Sequence, residues 1–391
     1  MKKTIYMTVD AGFSGGKVVV NEKIIYIPFI YKKDTGTQRI GEGLSDKPTY
    51  VRVYSNGEEY IIGKFAQEEF AKETYNAENK IALDRFYTMD RFEMKEFEIV
   101  LKGVIGYGLI QYEELTKNDK VPFRVSELAD YRLIVGISLP HSEYKKRWNG
   151  GVREVLCKKH EFEVYVGGIG KVAFNFELSY KDVFHNSQAF SVYFCQFVDD
   201  EGYEIEEADA YKPILFVDCG YHTVGNFVLQ KDDSINRDES DTTYAMKNVN
   251  ESVAEKLRDK DPSMTAIRVE SIINTQNGEF VCKNKKEDKT SIENITALWE
   301  AEVQKKANEL VEYLADHHND LVDIRSIVVA GGTGNLYYPY IKEWEDKKFG
   351  HLKDKIILAD RGFHGEKIDP VYAVAVGLYK NMVSAFEREE K

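Results

Sequence analysis

Short β-branched apolar runs alternate with charged stretches along the chain, and these runs carry its organisation. Residues 4–10, 17–20 and 24–29 read as three strands joined by tight turns, the second turn at Asn21-Glu22. Residues 131–139 predict a buried strand stopped by Pro140, and 162–176 have the look of a hairpin. Residues 214–217 and 327–329 predict two further strands, each running into a polar, glycine-bearing turn. Helical spacing appears in 92–115, where Phe97, Leu101, Val104 and Ile105 share a face. A longer amphipathic stretch, 292–318, carries Ile295, Leu298, Trp299, Val303, Leu310 and Leu314 on one stripe. Asp369-Pro370 opens a last helix: Asp caps free N–H groups and Pro suits the first turn. That helix runs through Ala373, Ala375, Gly377 and Leu378, small enough to allow close approach of a neighbouring backbone. Strands alternating with helices predict an α/β fold.

Composition narrows the picture. A chain of 391 residues predicts two or more packing units, and 43% hydrophobic with 13% aromatic residues suffices for more than one core. The net charge of -13 disfavours a surface that wraps phosphate backbones, so no direct nucleic-acid binding is expected. No run of about 18 apolar residues occurs, so no membrane-spanning helix is expected, and the start reads as a first strand rather than a signal peptide. Cys157, Cys195, Cys219 and Cys282 form no CxxC pair, which argues against disulfides or a zinc site and for a reducing, cytoplasmic setting. Residues 230–243 and 283–290 are polar and read as solvated loops or hairpin tips, or as a contact surface for a partner or an identical subunit.

Chemistry concentrates in three turns. The first, Asp10-Ala11-Gly12-Phe13-Ser14-Gly15-Gly16-Lys17, lies between two apolar runs. Its glycines allow several N–H groups to point into one concavity, an anion nest suited to phosphate. Ser14 adds a hydroxyl donor and Lys17 a point charge. Asp10 would repel phosphate directly and fits better as a ligand to the waters of a magnesium ion. The second, Asp218-Cys219-Gly220-Tyr221-His222-Thr223, repeats that logic at the end of another strand; His222 reads as a turn histidine rather than a base. The third, Ala330-Gly331-Gly332-Thr333-Gly334-Asn335, permits a flat ring or a sugar to approach the backbone. Each turn by itself also reads as a plain glycine-rich connection. Tyr337, Tyr338 and Tyr340, just beyond, either pack a nucleotide base or fill a domain interface.

In order and character the three turns resemble the nucleotide-binding signature of the actin/Hsp70/sugar-kinase superfamily. Asp10-x-Gly12 with Lys17 resembles its first phosphate loop, Asp218-x-Gly220-x-x-Thr223 its second, and 328–334 its adenosine loop, while 369–378 looks like the closing helix. Size and local wording are most similar to bacterial ParM-type actins, through Leu139-Pro140-His141-Ser142-Glu143-Tyr144 and 183–189. The resemblance implies an actin-like (ribonuclease H-like) two-domain fold with a nucleotide cleft between the domains. It implies domain I over 1–212 with an insertion near 31–90, domain II over 213–368 with an insertion near 235–295, and a C-terminal helix, 369–391, returning to domain I. It further implies ATP or GTP with Mg2+, the metal's waters held by Asp10 and Asp218. The nucleotide would be held by Gly12, Phe13, Ser14, Gly15, Gly16, Lys17, Gly220, Tyr221, His222, Thr223, Gly331, Gly332, Thr333, Gly334 and Tyr337. Asn186, with Gln188 two residues on, aligns with the Glu or Gln that orients the attacking water in the family, and Asp218 joins them in catalysis. Gly225-Asn226 stands where many relatives carry another Asp.

The same resemblance implies a nucleotide-hydrolysing filament protein that drives plasmid DNA segregation, with itself and a DNA-bound adaptor as partners. Two other readings stay open: a small-molecule kinase on the same fold, for which Asp182 is the nearest acid to a base position, and a non-catalytic nucleotide-dependent scaffold.

Overall fold

The computed structural model describes residues 2–12, 15–33, 50–67, 91–139, 144, 151–284 and 289–390. Two of its five-stranded sheets are built on one plan. In the first, β1 (Lys3–Ala11), β2 (Gly16–Val20) and β3 (Lys23–Ile27) form an antiparallel ribbon, and β7 (Tyr131–Leu139) and β10 (Val183–Ser187) extend it in parallel from the other edge of β1, giving the order β3-β2-β1-β7-β10. In the second, β11 (Ile214–Cys219), β12 (Val224–Leu229) and β13 (Ile235–Asp241) make the ribbon, and β16 (Ser326–Ala330) and β17 (Ile356–Leu358) the parallel extension, in the order β13-β12-β11-β16-β17. The first strand of each ribbon is central and covered on both faces, which is why β1 and β11 read as near-continuous apolar runs rather than as alternating ones.

Between the two sheets lie α2 (Gln188–Phe197) and α7 (Ala373–Glu390). One core joins Val19 and Ile134 of the first sheet to Ile214, Phe216 and Val328 of the second through Val192 of α2 and Val376 and Met382 of α7. Burying each such aliphatic side chain contributes about 1.5–3 kcal/mol. The Thr8 hydroxyl donates to the carbonyl of Ala375 at 3.0 Å and ties α7 to β1. Asp369 caps the entry to this segment as its sequence suggests, its carboxylate accepting from the N–H of Val371. Gly377 sits where the helices touch: a Cβ there would lie 1.7 Å from the carbonyl oxygen of Ser191.

Each sheet carries an added layer. β4 (Tyr31–Lys33), β6 (Glu58–Ile62), β5 (Val51–Ser55), β8 (Lys159–Val166) and β9 (Gly170–Glu177) pair in that order. This sheet and β1–β2 share the helix α1 (Lys95–Thr116), whose Gly103 and Gly108 leave room for Val53 from one sheet and Met7 from the other. On the second half, α3 (Met246–Leu257), α4 (Ala266–Thr275) and the hairpin β14 (Glu279–Asn284) and β15 (Lys289–Asn294) enclose a small core of Val253, Leu257, Val269, Ile272 and Phe280. The long helix α5 (Thr296–His317) follows.

Two expectations change here. Ile292 begins no helix; it is a strand residue, 70% exposed, because β14 supplies a partner and α5 starts only at Thr296. The polar stretch 230–243 is no simple loop, since Ile235–Asp241 pairs along β12 as an edge strand, where charged side chains are at home.

Candidate functional site

The register of the first sheet builds half of the site. Asn186, Ser138, Asp10, Lys17 and Tyr26 are directly paired neighbours across β10, β7, β1, β2 and β3. Directly paired residues project to one face, so these five form a polar row across the sheet. Asp10, the next-to-last residue of β1, is 3% exposed and accepts from the Ser138 hydroxyl at 2.7 Å and the Gln188 amide at 2.9 Å, with the Lys17 ammonium at 3.2 Å. Gln188 is the first residue of α2, capped by Ser187, so the positive end of that helix opens on the same spot. The Lys17 ammonium lies over the first turn, 2.7 Å from where a Gly12 Cβ would be.

The second sheet supplies the facing half. Asp218 is again the next-to-last residue of the central strand, but its row neighbours are Gly225 and Ala330, which offer it no donor side chain. Burial pushes its carboxyl up to about 6; the charge of Asp10 adds to the rise and Lys17 opposes it. Asp10 and Lys17 therefore lie near enough to Asp218 for their charges to act on it. Around Asp218 the second and third turns lock together. The Gly220 N–H donates to the Thr223 carbonyl at 2.8 Å, and the Thr333 hydroxyl donates to the Gly220 carbonyl at 2.9 Å. Gly331 has φ +86°, and a Cβ there would fall 2.8 Å from Asp218 Oδ1 and 2.3 Å from the Cys219 carbonyl, so only glycine fits. α6 (Gly332–Lys342) starts at this point.

The remaining sequence-derived positions divide. Gly16 begins β2 and Gly15 directly precedes it, while Phe13 and Ser14 fall outside the described residues, as does most of 139–144. Gln188 reaches Asp10, whereas the Asn186 side-chain oxygen accepts from the Ser187 N–H at 2.8 Å. Of the two amides, Gln188 is therefore the one placed on the acid. Tyr221 and His222 form the second turn, whose Tyr221 carbonyl accepts from the Lys247 N–H. Gly334 packs under the cleft against Val329. Tyr337 is a correction: it is fully buried, and its hydroxyl donates to the Tyr244 carbonyl at 2.8 Å, so it offers no face to a bound base. Asp182 lies before β10, at the end away from the row, and is held by Arg132 at 2.9 Å and by Ser179. It has no path to the site as a base.

Three residues of the cleft escape sequence reasoning. Ser138 and Tyr26 join only through strand register. Glu270 comes from α4, its carboxyl pushed up to about 7 by burial while the neighbouring Tyr221 opposes the rise. Only the fold brings residue 270 to residues 26 and 221.

Two carboxylates from separate sheets, one cation and glycine-bearing turns suit a phosphate chain with a divalent metal. Asp218 supports that fit: a carboxyl lifted by burial and a neighbouring negative charge gains from a cation.

No protein-family model matches the chain, and no curated protein matches it. Solved structures do. A non-polymerisable quadruple mutant of pCBH ParM superposes with a TM-score of 0.67 at 14% identity, covering 99% of this chain and all of that one. ParM of Bacillus thuringiensis with ATP gives 0.52 at 14%, over 99% and 100%. The filament structure of AlfA from B. subtilis plasmid pLS32 gives 0.52 at 13%, over 96% and 98%. With two acid-ended sheets of one topology and a likeness that runs the length of the chain, this protein has the actin-like fold of the ParM type.

Proposed function

We propose that this protein binds ATP or GTP with magnesium in the cleft between the two sheets, hydrolyses it, and assembles with itself into filaments that segregate plasmid DNA through a DNA-bound adaptor. The observation that carries the reading is the pair Asp10 and Asp218, set at equivalent strand ends and near enough for the charge of one to act on the other. The named neighbours supply the rest: an ATP complex, a polymer-blocked mutant and a plasmid-encoded filament. We read residues 1–212 and 213–368 as the two halves, with 369–391 returning to the first.

Each residue then has a role. N–H groups of the first two turns and the Lys17 ammonium hold phosphate oxygens and offset their charge. Asp10 and Asp218 would hold the waters of a magnesium ion, which would neutralise phosphate charge. Gln188, already aligned by Asp10, holds the attacking water; it need not be a strong base, because phosphoryl transfer rests on positioning and charge neutralisation. Gly331 lets the third turn close against Cys219 and Asp218, where a side chain would collide. A γ-phosphate touching both turns favours the closed cleft, and its loss removes that preference, which subunit contacts in a polymer register.

Light scattering and phosphate release, followed together with magnesium and either nucleotide, test this. Scattering and phosphate release are both expected to rise steeply with protein concentration. Absence of nucleotide-dependent assembly at high protein concentration overturns the filament reading. Gln188→Ala is expected to slow phosphate release roughly 100-fold while assembly persists. Asn186→Ala is expected to leave the rate nearly unchanged, and the reverse ranking would return the water-positioning role to Asn186.

A further inference from the structure

The chain passes from the first sheet to the second between α2 and β11, and returns between β17 and α7. Any turning of one sheet against the other must bend both passages. His364, in the returning passage, ties them together. Its backbone N–H donates at 2.6 Å to Asp200 Oδ2, in the outgoing passage just after α2. Its ring lies between two carboxylates, with Nε2 3.1 Å from Glu22 Oε2 and Nδ1 3.3 Å from Asp200 Oδ2. Glu22 belongs to the turn between β2 and β3, at the end of that ribbon away from Lys17. Asp200 is anchored in turn by α7: the buried Lys380 ammonium lies 3.6 Å from Asp200 Oδ1 and donates to the Val198 carbonyl at 3.0 Å. The Cys195 thiol of α2 adds a second link, donating to the Arg361 carbonyl at 3.3 Å.

The backbone points to the same contact. Glu22 has φ +68° and His364 φ +53°, a left-handed conformation uncommon for side chains of this size. With Asn21 at φ +40°, Glu22 is the second residue of a two-residue hairpin turn, a position where glycine is the usual choice. Backbone strain of this kind persists where surrounding contacts hold it. Neither residue is the one its own turn favours, and the contact between the two side chains accounts for both.

We propose that Glu22, His364 and Asp200 form a pin across the two passages, one that restrains how far the sheets turn against each other. The pin needs only the fold; it holds whatever ligand the cleft takes. The His364 side chain is 69% exposed, so each of its contacts is weak taken singly. Their effect comes from what they join, since His364 stands 164 positions from Asp200 and 342 from Glu22. A ligand that draws the sheets together works against this tie.

Amide hydrogen exchange of the full-length protein without added ligand, read by mass spectrometry, tests the assignment. Three single variants and one double are compared with the wild type. Glu22→Gly removes the carboxylate and installs the residue its own turn favours. His364→Asn keeps a residue at ease in left-handed backbone but is too short to reach Glu22. Asp200→Ala removes the acceptor of the His364 N–H. Exchange in peptides spanning 198–206 and 359–369 is expected to rise about threefold with either of the first two variants. With Asp200→Ala the rise is expected to be about tenfold. In the His364→Asn background, Glu22→Gly is expected to add nothing, because both act through one contact. The central strand β11 should exchange at its wild-type rate throughout. A purely local role for Glu22 predicts the opposite of the first result, since Glu22→Gly would then relieve its turn and leave both passages unchanged. Changes confined to the substituted turn, or additive effects of Glu22→Gly and His364→Asn, overturn the pin. Equal acceleration of β11 also overturns it, as the sign of a general loss of stability. Because no nucleotide is present, none of these outcomes depends on the nucleotide reading.

Discussion

Asp218→Asn is expected to make the nucleotide-free protein more stable at pH 8 while lowering magnesium-dependent phosphate release by roughly 100-fold or more. The two effects share one cause. Burial, with Asp10 adding, holds the folded-state carboxyl at about 6, above its ordinary 3.8. Below about pH 4 the group is protonated in both the folded and unfolded chain and costs nothing. Between that pH and about 6 the folded protein keeps a proton the unfolded chain has released, and the stability this brings is lost as pH rises through the folded value. Above about 6 the full cost of an ionised carboxylate facing Asp10 is present. The rise from 3.8 to about 6 corresponds to at most about 3 kcal/mol, and water reaching the partly exposed carboxyl reduces it to the order of 1–2 kcal/mol. Melting curves of wild type and variant should therefore coincide near pH 4 and separate by pH 8, with the variant higher. With magnesium and nucleotide the order should reverse, since a ligand that binds only the folded wild type stabilises it by mass action. A variant that melts below the wild type at pH 8 without ligand contradicts the assignment of Asp218 as a destabilising, ligand-directed acid.

Gly377→Ala is expected to be the most damaging single methyl in the helical layer. Its Cβ would lie 1.7 Å from the Ser191 carbonyl oxygen and 2.7 Å from the Cys195 nitrogen. Both are backbone atoms of α2, so no rotamer change relieves the clash, and α2 and α7 must separate between the two sheets they join. Overpacking of this kind is expected to cost about 3 kcal/mol or more, read as a fall in the denaturation midpoint. Gly350→Ala is the matched control: the nearest atom to its added Cβ is 4.0 Å away, and a change within about 0.5 kcal/mol is expected. Equal losses for the two variants would mean that the contact between α2 and α7 is dispensable.

Gly377 also marks how far the sequence is legible. The run Ala373, Ala375, Gly377 announces close helix packing, but nothing local says that its partner is α2, whose small Ser191 and Cys195 meet Gly377 only in the fold. The strands that end in Asp10 and Asp218 are readable because each is a continuous apolar run stopped by an acid and glycines. Tyr337 shows the opposite case. Its position after a glycine turn fits a base-stacking role as well as an interior one, and only the α6 face it occupies decides that it is buried with its hydroxyl on Tyr244. Ile292 departs from expectation for a related reason: an apolar residue four positions before a helix fits the helical stripe as easily as a strand, and pairing with Val281 settles it.

By itself the sequence determined the parts: the apolar strands, the acid-glycine turns at their ends, the capped last helix and the long helix α5. Those features are local, set by side-chain periodicity and by the backbone freedom of a few residues. The tertiary structure alone decided which of the chemically able side chains meet. Strand register put Ser138 and Tyr26 in line with Asp10, α2 aimed Gln188 rather than Asn186 at it, and the packing of two like sheets brought Asp218 and Glu270 across from them. Apart from Tyr26, which lies on the same ribbon as Asp10, these residues are more than a hundred positions from Asp10, and their approach is set by burial of the whole core rather than by anything in the neighbouring sequence.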